Sequence, residues 1–264
     1  MFQNQSILFM QDATLKARKN RLGPFSIKIT NNERIAILGP SGAGKSSLLQ
    51  IMSGLFDHTG QIEFLSKPMK HWKIEELAAR RAFLPQQHDT AFNLSSEMII
   101  SLGRVARTHD PQLPSIIDES AKAASAKHLL NRAYQTLSGG EKARVHLARI
   151  FAQLWDQHNG ILLIDEPLAS LDPGLQLELL SSILIFCQDR NHALVAVLHD
   201  IQQAIQYFER LILIKDGKIM ADLPSYPAPK TELELLYGMR LELISRAGKK
   251  DLLIPTDQEC SYSS

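Results

Sequence analysis

The chain has 264 residues, 44% of them hydrophobic, enough for one large domain or a domain with a subdomain around a proper core. Lys and Arg number 29 against 28 Asp and Glu, so there is no overall basic field to hold a nucleic acid or an anionic membrane surface. No apolar run approaches the ~18 residues that span a bilayer, and "MFQNQSILFMQD" has neither the basic nor the continuous apolar region of a signal peptide, so a soluble, intracellular chain is expected. Cys187 lies in an apolar helical stretch and Cys260 in a polar tail, a context that suggests neither a disulfide nor a metal site.

The first strong element is "RIAIL", ending at Leu38, a continuous apolar run of the kind that forms a parallel strand buried on both faces. "GPSGAGKSS" follows, Gly39, Pro40, Ser41, Gly42, Ala43, Gly44, Lys45, Ser46 and Ser47, and then the helical pattern "SSLLQIMSGL". A strand, the spacing G-x-x-x-x-G-K-[ST] and a helix are the context of a phosphate-binding P-loop. Gly42 and Gly44 let backbone amides turn toward phosphates, Lys45 reaches the β- and γ-oxygens, and the Ser46 hydroxyl ligates Mg²⁺. In "FLPQQH" nothing local chooses between Gln86 and Gln87 as a functional amide.

The segment 91–134 lacks apolar strand runs, and "PSIIDESAKAASAKHLL" reads as a capped helix starting near Ser115, so a helical insertion is expected there. Next comes "LSGGE", in which Ser138 and Glu141 have the spacing of a capping box. Leu147, Ile150, Phe151, Leu154 and Trp155 repeat at helical spacing and form the expected buried face. Capping explains Ser138 and Glu141. It does not explain Gly139 and Gly140, each of which costs up to ~1 kcal/mol in a first turn unless a ligand or backbone approaches closely.

"ILLI", ending at Ile164, is a second buried strand, followed by Asp165, placed to hold a Mg²⁺ shell, and Glu166, placed to polarise an attacking water. Alone, such a pair is more often a turn or helix cap; the P-loop reverses that balance. Asp172 before Pro173 is a ready helix N-cap, which accounts for it structurally. "ALVAVL" is the third strand, and His199 after it is either a structural hydrogen-bonding residue or a γ-phosphate contact at the ligand edge of the sheet. "LILIKDGKIMA" reads as two strands joined at Asp216-Gly217, and "PTDQECSYSS" as a frayed end.

The order of these motifs, from about Ile35 to Gly217, resembles the ATP-binding subunits of ABC transporters, with "LSGGE" the most diagnostic part. The resemblance implies an α/β fold: a P-loop NTPase core with a mainly parallel sheet and an antiparallel β part, over 1–90 and 135–245, a helical subdomain over 91–134, and a C-terminal extension over 246–264. It implies an ATPase in which two copies stack head to tail, so that Ser138, Gly139, Gly140 and Glu141 of one chain close on the ATP of the other. Gln86 would contact Mg²⁺ and the attacking water, Glu166 would be the catalytic base, Asp165 would hold Mg²⁺ through water, His199 would hold the γ-phosphate, and Asp172 would cross the dimer interface.

"RRAFLPQQHDTAF" and "SLGR" are similar to importers of cobalamin, haem and ferric siderophores; "RLGPFSIKI" and "YGMRLELISRAGKKDLLIP" resemble the vitamin B12 (cobalamin) importer's ATPase. The resemblance therefore implies a peripheral subunit on the cytoplasmic face of a bacterial inner membrane, with two transmembrane permease subunits and, indirectly, a periplasmic substrate-binding protein as partners, and no nucleic acid. Cobalamin is the expected cargo, with haem or a ferric siderophore as the alternative. A soluble ABC ATPase acting on ribosomes or DNA competes less well, since the chain shows a single P-loop and near-neutral charge, and a non-catalytic nucleotide binder would not need Glu166 and His199. Members of the family usually carry an aromatic residue before the P-loop to stack on adenine, and "DATLKARKNRLGP" contains none.

Overall fold

The computed structural model describes residues 6–16, 21–85, 94–107, 109–166 and 171–256. Gln86, Gln87, Cys260 and the tail 257–264 lie outside the described residues. The chain opens with β1 (Ser6–Lys16) and β2 (Arg21–Thr30), an antiparallel pair in which Met10 faces Ile27. In β2, buried Phe25, Ile27 and Ile29 alternate with exposed Ser26 and Lys28, the period-two signature of a sheet with one wet face. After β3 (Arg34–Leu38) and α1 (Lys45–Met52), β4 (His58–Phe64) and the short β5 (Lys67–Pro68) complete this sheet in the order β2-β1-β4-β5.

A short α2 (Ile74–Ala78) leads into β6 (Arg81–Leu84), a strand whose apolar character is masked in sequence by Arg80 before it and Arg81 at its start. Two helices follow in the inserted segment, α3 (Ser96–Ser101) and α4 (Leu113–Ala123), and then comes the long α5 (Gly139–Leu154). Helix α4 starts at Leu113, ahead of the Ser115 expected from sequence, because Pro114 fits the first turn, where its missing N–H is no loss. Ser115 lies inside the helix and its hydroxyl donates to the Gln112 carbonyl at 2.8 Å. Leu147, Ile150, Phe151 and Leu154 are buried on α5 as expected, while Trp155, at its C-cap, is only partly buried. Arg104, in "SLGR", ties the lobe to the end of α5: its buried guanidinium donates to Asp110 at 2.6 Å and to Asp156, just beyond α5, at 2.8 Å.

The remaining elements are β7 (Ile161–Asp165), α6 (Pro173–Asp189), β8 (Ala193–Val197), α7 (Ile201–Tyr207), the hairpin β9 (Arg210–Lys215) and β10 (Lys218–Pro224), α8 (Lys230–Tyr237), and a terminal hairpin β11 (Arg240–Arg246) and β12 (Lys249–Thr256). The central sheet runs β10-β9-β3-β8-β7-β6, parallel except for the edge strand β10. Both faces are covered, which explains the continuous apolar runs: Leu162 and Ile164 of β7 join the core under α5 and α6, and Ile161 and Leu163 join the core under α1 and the antiparallel sheet. The three apolar runs are therefore neighbouring strands, and their carboxyl ends share one edge.

The terminal hairpin grips α7. Lys250 Nζ donates to the carbonyls of Ile205 and Phe208 at 2.7 and 3.1 Å, a cation at a helix C-terminus, and Gln202 exchanges hydrogen bonds with the backbone of Asp251 and Leu253.

At the start of β8, His192 is fully buried, its Nδ1 accepting the Gly160 N–H at 2.9 Å, and burial lowers its pKa to about 3. An unfolded imidazole takes its proton near 6.5, so the folded state's preference for the neutral ring is fully felt above that value and works against folding as the pH falls from 6.5 toward about 3. Denaturant titrations across this window should show stability falling with pH, and His192→Asn, which keeps an acceptor without a titrating ring, should flatten that component.

Candidate active site

Beyond β3 the backbone turns through Gly42 and Gly44 at φ of +78° and +102°, a region that side chains disfavour, and enters α1 at Lys45. No side chain caps α1, so its first-turn amides are left to an external acceptor. The hairpin turn at Gly217 and strand β2 brace the loop from behind: the Gly217 N–H donates to the Ala43 carbonyl at 3.0 Å, and the Gly23 N–H to the Gly217 carbonyl at 2.8 Å. Ser41 and Gly42 at the tip are exposed, whereas Lys45 is buried. Its ammonium donates to the carbonyls of Gly39 and Pro40 at 2.9 and 3.1 Å and lies 3.7 Å from Glu166 Oε1.

The end of β7 supplies the acidic side. Ser46, next to Lys45, donates its hydroxyl to Asp165 Oδ1 at 3.0 Å. Burial raises the Asp165 pKa; the Ser46 hydrogen bond and the charge of Lys45 oppose the shift, and the neighbouring Glu166 carboxylate adds to it. A hydroxyl and a buried carboxylate form a hard-oxygen pair of the type Mg²⁺ takes, and the described residues contain no group of three His, Cys, Asp or Glu able to hold an ion alone. The donor set fits a magnesium ion carried by phosphates and water, which Ser46 and Asp165 would hold on the protein side. Gln86, the third residue expected there, lies outside the described residues.

Glu166 leaves the strand at φ +49°, an uncommon conformation for a residue with a side chain. Strand alternation would send consecutive side chains to opposite faces; here the turn brings Asp165 to Ser46 while Glu166 sits between Lys45 and His199. His199 Nε2 is 2.6 Å from Glu166 Oε2, and the imidazole is half exposed. A cation, a carboxylate and an imidazole thus converge beside the loop, on the edge of a cavity of about 460 Å³ that Glu166, Gln176, His199 and Gln203 help line. The arrangement can bind polyphosphate, accept a proton from a water, and hydrogen-bond a terminal phosphoryl oxygen.

Residues 138–141 are elsewhere. Ser138 Oγ accepts the Glu141 N–H at 3.3 Å and Glu141 returns the bond to the Ser138 N–H at 2.8 Å, a complete capping box, while Arg132 pairs with Glu141. Among the described residues no hydrogen bond or ion pair joins 138–141 to the loop 39–47. A Cβ at Gly140 would strike the tip of Leu175, but one at Gly139 would meet nothing within 4 Å, so the fold itself gives no reason for that glycine. Asp172 caps α6 by accepting the Leu175 N–H at 3.0 Å, with Pro173 in the first turn.

Sequence reasoning passed over three side chains that the fold brings to this region. Leu22 of β2 lies 3.5 Å from where a Cβ on Gly44 would stand, and Gln176 and Gln203 share the cavity wall with Glu166. Only Leu22 left a signal, as the apolar residue just before the brace at Gly23.

The sequence model described as ABC transporter matches residues 22–169, more than half the chain. The chain belongs to the ABC transporter family. It is an ATP-hydrolysing subunit of that family, and its curated relatives agree over most of their length. The hemin import ATP-binding protein HmuV of Photobacterium damselae subsp. damselae is 36% identical over 86% of this chain and 87% of its own, and HmuV of Pseudomonas fluorescens is 40% identical over 76% and 79%. Among solved structures, a chain described as part of a metal-chelate type ABC transporter in an inward-facing conformation superposes with a TM-score of 0.78 at 19% identity, covering 96% of this chain and 98% of that one. An ATP-binding cassette solved as a dimer in a post-hydrolysis state with ADP and Pi gives 0.72 at 24% identity over 83% and 98%. At these identities both structural likenesses speak for the fold of this ABC ATPase alone.

Replacing Glu166 by Gln keeps the shape and removes the proton acceptor, so ATP turnover should fall by roughly 10²–10⁴-fold while nucleotide binding persists. Lys45→Ala should instead weaken binding itself. Steady-state hydrolysis together with equilibrium nucleotide binding checks both.

Proposed function

We propose that this ABC ATPase powers a bacterial importer as a dimer of identical chains beneath two transmembrane permease subunits, which in turn receive cargo from a periplasmic substrate-binding protein. The observation that carries the catalytic part is the convergence of Lys45, the Ser46–Asp165 pair and the Glu166–His199 pair at one sheet edge. In the proposed cycle Lys45 and the amides of residues 41–46 bind the phosphates. Glu166 orients a water and takes its proton as the water's oxygen bonds to the γ-phosphorus and the bond to the ADP oxygen breaks. His199 turns its Nε2 to the γ-phosphoryl oxygen. Magnesium, when bound, neutralises charge developing on the β- and γ-oxygens.

The dimer reading rests on Gly139. A glycine that no internal contact requires, at the mouth of a helix already capped by its own Ser138 and Glu141, is what an approaching phosphate from another chain would need. Attachment to a permease is supported by the apolar side chains the inserted lobe leaves exposed: Met98, Leu102 and Val105, beside Arg104. No described helix is long and apolar enough to cross a membrane, which fits a peripheral subunit on the cytoplasmic face of the inner membrane.

We propose haem as the cargo. The terminal segments led to an expectation of cobalamin, but the relatives that match 76–86% of the chain carry hemin import in their names, and this favours the haem alternative. An ATPase that never touches the cargo records it only through choice of permease, so relatives weigh more here than geometry does. Deleting this chain should abolish uptake of labelled haem and leave labelled cobalamin and a ferric siderophore unaffected, with a Lys45→Ala complement failing to restore it. Selective loss of cobalamin uptake would overturn the cargo and leave the ATPase standing.

Leu22 is proposed to cover the base where other members use an aromatic ring. An aliphatic contact forgoes the ~1–3 kcal/mol that stacking on an aromatic face supplies. GTP should therefore compete appreciably with ATP, and Leu22→Tyr should tighten ATP binding in an equilibrium binding assay.

A further inference from the structure

His199 and Asp172, the residues proposed above to meet the γ-phosphate and the partner chain, are joined inside one subunit by a series of hydrogen bonds. Asp200, adjacent to His199, caps α7 and accepts the Gln203 N–H at 3.1 Å. The Gln203 side chain crosses to α6 and donates through Nε2 to Gln176 Oε1 at 3.2 Å. Gln176 Nε2 in turn donates to the Leu171 carbonyl at 2.9 Å, and Leu171 precedes Asp172. Both amides line the cavity that Glu166 and His199 share.

The polarity of this series is fixed by chemistry. A carbonyl can only accept, so Gln176 must turn its amino group to Leu171 and its oxygen to Gln203, which must then donate. No other orientation of either amide satisfies both contacts, and a glutamate at either position would set acceptor against acceptor. Among the described residues neither amide hydrogen-bonds to the P-loop or to the Ser46–Asp165 pair.

We infer that Gln176 and Gln203 are positioning residues, a two-amide relay that holds the loop at Leu171–Asp172 in register with His199. A partner chain settling on Asp172 and a γ-phosphate settling on His199 are then placed by one rigid connection across α6 and α7. This rests on the roles proposed for His199 and Asp172.

A double-mutant cycle on the purified full-length chain tests it. Gln203→Leu and Gln176→Leu should each lower kcat for ATP about tenfold with KM for ATP and the thermal midpoint unchanged, and the double variant should be no worse than the poorer single, since the relay fails once. Gln203→Lys, which keeps a donor for Gln176, should retain most of the wild-type kcat. The inference is overturned if the two losses multiply, if KM rises in step with the fall in kcat, or if Gln203→Leu turns over at the wild-type rate. Should either leucine variant lose thermal stability, Gln203→Lys decides, and a tenfold loss there with a normal midpoint also overturns it. His199→Ala run alongside separates the levels: wild-type turnover in that variant removes the role assigned to His199, whereas an inactive His199→Ala beside a normal Gln203→Leu removes only the relay.

Discussion

Everything at the ligand edge depends on the two adjacent carboxylates that end β7. Like charges side by side in a partly buried place repel, and burial pushes the Asp165 pKa up. The fold meets this by giving each carboxylate a different partner: a hydroxyl for Asp165, an ammonium and an imidazole for Glu166. That division is possible only because the backbone breaks from strand geometry at Glu166. It also fixes what surrounds the pair, since Lys45 and Ser46 are consecutive and one helix start must serve both acids.

The architecture follows from that need. A parallel sheet buried on both faces delivers β3, β7 and β8 side by side, so the loop, the acids and His199 share an edge although they are far apart in the chain. The hairpin turn at Gly217 and the Gly23 backbone hold the loop from behind, tying the antiparallel sheet to the catalytic edge. On the opposite side α5 is locked to α6 by the two-pronged Arg144–Glu178 pair at 2.6 and 2.7 Å, and to the inserted lobe by Arg104.

Much of this was legible from sequence because its chemistry is local. The P-loop, the capping box at Ser138 and Glu141, and the Asp172–Pro173 helix start are set by residues within a few positions of one another, and each is present in the fold. The apolar runs of β3, β7 and β8 were visible for the same reason, whereas the Arg80–Arg81 pair hid β6 and Pro114 moved the start of α4. What spacing cannot encode is contact between distant segments: Gln176 with Gln203, Leu22 beside Gly44, and Lys250 reaching α7 leave no periodic trace.

The grip of the terminal hairpin on α7 bears on how the enzyme is made. A seven-residue helix has too few turns to persist alone in water, and α7, which sets the backbone just after His199, has its last carbonyls satisfied by Lys250. A ribosome delivers Lys250 long after the P-loop has emerged. The backbone just after His199 therefore gains this support only once β11 and β12 have folded back onto α7.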